Sequence, residues 1–195
     1  MRTILVTLFL TGAVAIATGT TNLDPDEQNT LTTIDTVPTK PQIDSVFGST
    51  ALQKLTAIAN DPDPTADIGI RLRAIHALAK YCAATPCAAN DVAHQSVASV
   101  VTSTATSHDG SQVLLLRAAI ETLGAMRVTG DAPSLWPLLD HPSRDIRAAT
   151  ARALRDLCNN QAVTPLRARY SVEMTDQVKL AISEALRILG QCSGM

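Results

Sequence analysis

The sequence predicts an all-α fold arranged as a helical-repeat array of about four helix pairs, and three observations carry that expectation. Apolar residues recur at spacings of three and four over most of residues 43–190, no stretch alternates with period two long enough to nominate a strand, and four segments superimpose on one another. The segments are IGIRLRAIHALAKYC (68–82), VLLLRAAIETLGAMR (113–127), RDIRAATARALRDLC (144–158) and DQVKLAISEALRILG (176–190). Anchored on Leu78, Leu123, Leu154 and Leu186, they place Ile70, Leu115, Ile146 and Val178 eight positions earlier, and Ala74, Ala119, Thr150 and Ile182 four earlier. Positions four apart lie on one stripe of a helix, so all four segments carry the same stripe. A stack of helix pairs needs such a recurrence, because each pair seals its apolar face only against the next.

Taken in order, the chain opens with Met1-Arg2-Thr3, an apolar run from Ile4 to Ala17 and the small-x-small site Ala15-Ile16-Ala17. This pattern is expected to be a secretory signal cleaved after Ala17, since the run is shorter than the ~20 apolar residues a spanning helix needs. No cysteine follows the site, so a lipidated N-terminus is not indicated. Residues 18–42, rich in Thr, Asp and Pro, read as a flexible linker. The repeat domain then covers 43–195. Its first helix is expected over 44–59, stopped by Asn60-Asp61-Pro62-Asp63-Pro64, and the second runs from about Ala66 to Cys82. Helices follow at Asp91 to Thr106, Val113 to Met126, Ala132 to Leu139, Arg144 to Cys158, Val163 to Tyr170 and Thr175 to Leu189, the last capped by Gly190.

Composition narrows the function classes. The chain has 195 residues, 46% of them hydrophobic, which is enough for one core and excludes a wholly disordered chain. A net charge of −2 lacks the basic excess of a protein that neutralises many phosphates, so nucleic acid is not an expected partner. Aromatics are only 3%, which leaves few flat surfaces for stacking bases, sugars or flavins. Cys82, Cys87, Cys158 and Cys192 suit an oxidising compartment, periplasmic or secreted, where disulfides persist. Three connectivities are open; one joins Cys82 to Cys87 and Cys158 to Cys192 across the C-terminal helices. The C-x4-C spacing and the dispersed His76, His94, His108 and His141 do not match a zinc site, so neither metal nor cofactor is expected. No phosphate-binding glycine loop or G-x-S-x-G elbow occurs.

The segment Leu138-Leu139-Asp140-His141-Pro142-Ser143-Arg144-Asp145-Ile146-Arg147, followed by the Ala-rich run to Ala153-Leu154, resembles the short HEAT repeat found in phycobilin-lyase-like and many bacterial proteins. Asp61-Pro62-Asp63-Pro64, Ile70-Arg71 and Ala77-Leu78 repeat the pattern. The second and fourth repeats depart from it: Asp109-Gly110 lacks the proline, Leu116 replaces the basic residue, and the turn before Val178-Lys179 has no Asp-Pro. The resemblance covers about residues 43–190. It implies a HEAT-like α-solenoid that serves as a binding scaffold rather than an enzyme.

Within that frame Arg71, Arg147 and Lys179 share one repeat position, directly after the apolar residue. The resemblance implies a structural ladder, with Asp140 and Asp109 as acceptors; a basic ladder holding an acidic ligand in the groove is the competing reading. On the helix from Arg144, residues Arg144 and Arg155 fall away from the apolar side and are candidate partner-binding residues. His76 is placed opposite Leu72, and the remaining histidines are read as ordinary surface or turn residues. Before Ser111 the chain past Ala17 carries five basic residues against ten acidic, and after it ten against eight, so an acidic partner should meet the C-terminal half. The expectation is an exported, non-catalytic scaffold that binds a protein or peptide through its concave face, without stable membrane insertion after signal cleavage. Self-association through an end would require an exposed strip at Ile182, Leu186 and Leu189. An enzyme of the chromophore-lyase type, or an envelope protein anchored by an uncleaved signal, are the alternatives.

Overall fold

The computed structural model describes residues 23–32 and 37–192. The signal segment 1–17 and its cleavage site lie outside them. Among the described residues all regular structure is helical, and no helix is long and apolar enough to cross a membrane.

The helices are α1 (Pro25–Leu31), α2 (Lys40–Phe47), α3 (Ala51–Ala59), α4 (Ile68–Leu78), α5 (Val92–Thr104), α6 (Gly110–Met126), α7 (Ala132–Leu135), α8 (Arg144–Leu157), α9 (Val163–Val172) and α10 (Asp176–Cys192). A 3₁₀ segment, Trp136–Asp140, extends α7. Local chemistry sets many of the starts. Asp67, Asp91 and Asp109 each cap a helix by accepting from backbone N–H groups of its first turn. Arg127 and Cys158 end α6 and α8 in left-handed conformation, at φ of 58° and 54°.

The even-numbered helices α4, α6, α8 and α10 pack consecutively on one another. Each is backed by its predecessor, α3 on α4, α5 on α6, the α7 segment on α8, and α9 on α10. The matched positions form the seam. Ile70, Leu115, Ile146 and Val178 are buried, as are Ala74, Ala119, Thr150 and Ile182, and the anchors Leu78, Leu123 and Leu154; only Leu186 is half-buried. The Ala-rich faces permit close approach. Gly124 of α6 sits where an added Cβ would lie 3.0 Å from the Ala153 Cα of α8.

Four expectations change. Part of the segment read as a linker is ordered: α1 has a capping box between Asp24 and Glu27, Leu31 is fully buried, and buried Glu27 pairs with Lys54. The capping hydrogen bonds and one well-placed leucine suffice there without a sustained apolar period. The helix expected over 44–59 is interrupted, because Gly48 adopts φ +58° and a 3₁₀ turn reorients the chain between α2 and α3. Gly190 does not end α10, which continues to Cys192. Finally, Ile182 and Leu189 are buried, so the strip that would have favoured end-to-end association is already covered; the exposed apolar residues near that end are Tyr170, Val172, Met174 and Leu180.

Cys82 pairs with Cys87 and Cys158 with Cys192, at Cα separations of 5.2 and 5.8 Å. The first closes the loop after α4, and the second ties the end of α8 to the end of α10.

Candidate functional site

The residues expected to form one ladder occupy three different environments. Arg147 is buried in a structural knot. Its Nε and Nη2 donate to Glu173 Oε2 and Oε1 at 2.7 and 2.9 Å, and its Nη1 donates to the carbonyls of His141 and Pro142 at 2.9 and 2.8 Å. Arg169 joins from the same side, donating from Nε to Glu173 at 2.9 Å and from Nη1 to Asp140 at 3.1 Å. Hydrogen bonds from Arg147 hold the Glu173 carboxyl far below the usual carboxylate range; bonds from the Thr175 N–H and Arg169 add to this, against burial. Arg71 is buried too, with Nη2 donating to the Ala59 carbonyl at 3.3 Å, and Asp61 acts on its charge. Lys179 is half-exposed.

The expected acceptors are therefore corrected. Asp140 pairs with Arg169, and Asp109 caps α6 by accepting from the N–H groups of Ser111 and Gln112. Glu173 lies 26 residues beyond Arg147, outside any local spacing rule.

A different set of charged residues meets on the surface of the stacked even-numbered helices. His76 of α4 lines a cleft of about 230 Å³ with Leu72, Leu114, Arg117, Ala118 and Glu121. Leu72 and His76 thus share a face, as residues four apart must, contrary to the placement expected from the sequence. Arg117 Nε donates to Glu121 at 2.9 Å, and Asp145 of α8 acts on the same guanidinium. Further along, Arg155 of α8 pairs with Asp156 at 2.8 Å and interacts with Glu184 of α10, which in turn pairs with Arg187. Two charged clusters of both signs consequently lie on the stacked helices, one joining α4, α6 and the start of α8 and the other joining the end of α8 to α10. Arg155 belongs to the second; Arg144 is exposed at the start of α8.

The Thr122 hydroxyl lies 2.7 Å from the Ala118 carbonyl oxygen and 3.2 Å from His76 Nδ1. Burial holds His76 below the ordinary histidine range; Glu121 opposes this, while Arg73, Arg117 and Lys80 reinforce it.

A second groove, about 580 Å³, lies between α3 and α5. Its polar lining comes from Gln53, Thr56, Asn60, Gln95, Ser96 and Ser99, with no titratable side chain. Asn60 Nδ2 bridges the two helices by donating to Ser96 Oγ at 2.8 Å. Among the described residues no group of three or more His, Cys, Asp or Glu is placed to hold a metal ion.

Two histidines expected at the surface or in turns are buried. His94 contacts Asp131, and His141 accepts at Nδ1 from the Ser143 N–H at 3.1 Å. Compared with known proteins, the chain matches no family model, no curated protein and no solved structure.

Proposed function

We propose that this chain is an exported, non-catalytic helical-repeat scaffold of the HEAT-like solenoid type, which binds a protein or peptide through the charged clusters on α4, α6, α8 and α10. The observation that carries the reading is the meeting of charged residues from neighbouring helices in two clusters, at α4, α6 and α8 and at α8 and α10. Arg73, Arg117, Arg155 and Arg187 supply one arginine from each helix, and the acidic residues Glu121, Asp145, Asp156 and Glu184 lie among them. Repetition of one packing unit gives a long, regular surface suited to an extended partner. The neutral groove between α3 and α5 lacks the converging titratable groups a reaction would need. Two disulfides fit an exported protein.

The test is affinity capture from the exported fraction with residues 18–195 as bait, beside the variant Arg117→Glu/Arg155→Glu/Arg187→Glu. Loss of a captured protein from the variant, with an unchanged melting curve and increased loss at high salt for the wild type, is the expected outcome. Equal capture by both baits contradicts the assignment of this face.

An enzyme is the second reading, and the cleft favours it specifically: the His76 imidazole stands there beside a carboxylate and a guanidinium. Turnover abolished by His76→Ala, with binding retained, would replace the scaffold reading.

A further inference from the structure

On α6, Leu114 is 47% exposed and stands directly before the seam residue Leu115. The matching positions of the other three aligned segments hold Gly69, Asp145 and Gln177, residues that suit a solvent-facing site. Rather than entering the seam, Leu114 borders the cleft between α4 and α6. Leu72 and Ala118 supply the other apolar walls of that cleft, and His76, Arg117 and Glu121 its polar edge.

Charge and size decide what fits this cleft. Its lining holds one cation and one anion, Arg117 and Glu121, and their 2.9 Å hydrogen bond lets them satisfy each other. Burial holds His76 below the ordinary histidine range, against Glu121 and with Arg73, Arg117 and Lys80, so the imidazole is predominantly neutral at pH 7. The lining is therefore neutral overall, and a charged group entering it would lose water without gaining an unpaired counter-charge. The surface left to be covered is apolar. At about 230 Å³ the cleft falls below the ~300–1,000 Å³ of cavities that take whole small molecules, and so matches a single side chain. Arg117 uses one of its five N–H donors on Glu121 and is 45% exposed, so it can also donate to a carbonyl lying across the mouth of the cleft.

We propose that this cleft is the anchor pocket for the protein or peptide partner. It takes one uncharged apolar side chain, packed against Leu72, Leu114 and Ala118, with the adjoining backbone carbonyl of the partner accepting from Arg117. The inference rests on the reading of these helices as the partner-binding face, and adds what that partner must present. Side chains that dominate a binding surface sit in desolvated apolar pockets whose polar edge keeps water out. The charged edge then sets orientation more than strength of binding.

The experiment titrates N-acetyl-leucinamide into the whole protein, beside N-acetyl-serinamide and N-acetyl-aspartate α-amide, and follows ¹H–¹³C NMR signals. The leucine amide is expected to saturate in the millimolar range, as suits so small a ligand, and to shift the methyls of Leu72, Leu114 and Ala118 and the His76 ring. The serine and aspartate amides should bind about tenfold more weakly or worse. Leu114→Ser should weaken the leucine amide by about tenfold with an unchanged melting curve, whereas Leu180→Ser, at an exposed leucine on α10, should leave it unaltered. No saturable shift, equal binding of the aspartate amide, or equal binding by Leu114→Ser would overturn the pocket. Shifts at the same residues that grow with protein concentration alone would assign the cleft to a second copy, and overturn it too. As a capture bait, Leu114→Ser separates this inference from the broader reading. A partner lost from the triple arginine variant but kept by Leu114→Ser refutes the anchor alone; equal capture by the triple variant refutes the partner-binding face whatever the amide does. If Leu114→Ser does not fold, the wild-type titration decides.

Discussion

Arg147 and Glu173 meet through two parallel hydrogen bonds, 2.7 and 2.9 Å long, and this buried ion pair joins the second helix of one pair to the end of the next pair's first helix. Two backbone carbonyls from the turn before α8 complete the guanidinium's coordination, so the pair is satisfied as well as buried.

Removing one partner should therefore be costly. Glu173→Gln leaves the Arg147 charge uncompensated and is expected to destabilise the fold by about 3 kcal/mol, measured by urea denaturation. The folded carboxyl lies below its unfolded value, so its stabilisation is present above about pH 4 and is lost as pH falls. Acid unfolding of the wild type should accordingly begin at a higher stability than in the variant, and the two curves should converge at low pH. Parallel curves would show that Glu173 is not the group being titrated.

Thr150 occupies a seam position where the other repeats have Ala74, Ala119 and Ile182, and its hydroxyl is buried without a hydrogen-bond partner. Thr150→Val keeps the shape and removes the unmet group. It should stabilise the protein by about 1 kcal/mol, read as a rise in the urea midpoint at constant slope. A loss of stability would mean that the hydroxyl has a partner.

Gly124→Ala should destabilise by about 1–3 kcal/mol, because the new methyl meets the Ala153 backbone of the facing helix. Were the substitution neutral, α6 and α8 would be further apart than described.

The Cys158–Cys192 bond closes a loop with a sequence separation of 34 residues. Cys158→Ser/Cys192→Ser should lower stability by about 3 kcal/mol through greater freedom of the unfolded chain. Alkylation of all four cysteines in the native exported protein would contradict both bonds.

How far the sequence reveals the molecule differs between its parts. The boundaries of α5, α8 and α9 are legible because Asp91, the Asp140-His141-Pro142 turn and the Asn159-Asn160 break act within a few residues of the helix ends they set. The seam is legible because its four copies share a register. The helix α1 carries its own signal in Asp24-Pro25-Asp26-Glu27, an acidic cap followed at the third position by glutamate, which an apolar-period criterion passes over. The partners of Arg147 and His94 were not legible, since Glu173 and Asp131 lie 26 and 37 residues away and only the turns between helix pairs bring them near. The charged clusters likewise need the stacking order before Arg117 meets Asp145 and Arg155 meets Glu184.

On a repeat arrangement each helix pair should seal its apolar seam against the next. Circular dichroism melting of Leu154→Asp beside Leu180→Asp tests it most directly, because Leu154 is 0% exposed in that seam while Leu180 is 72% exposed on α10. Leu154→Asp should lose cooperative melting, through an unpaired buried charge costing several kcal/mol, and Leu180→Asp should melt as the wild type does. Cooperative melting of Leu154→Asp near the wild-type midpoint would contradict it.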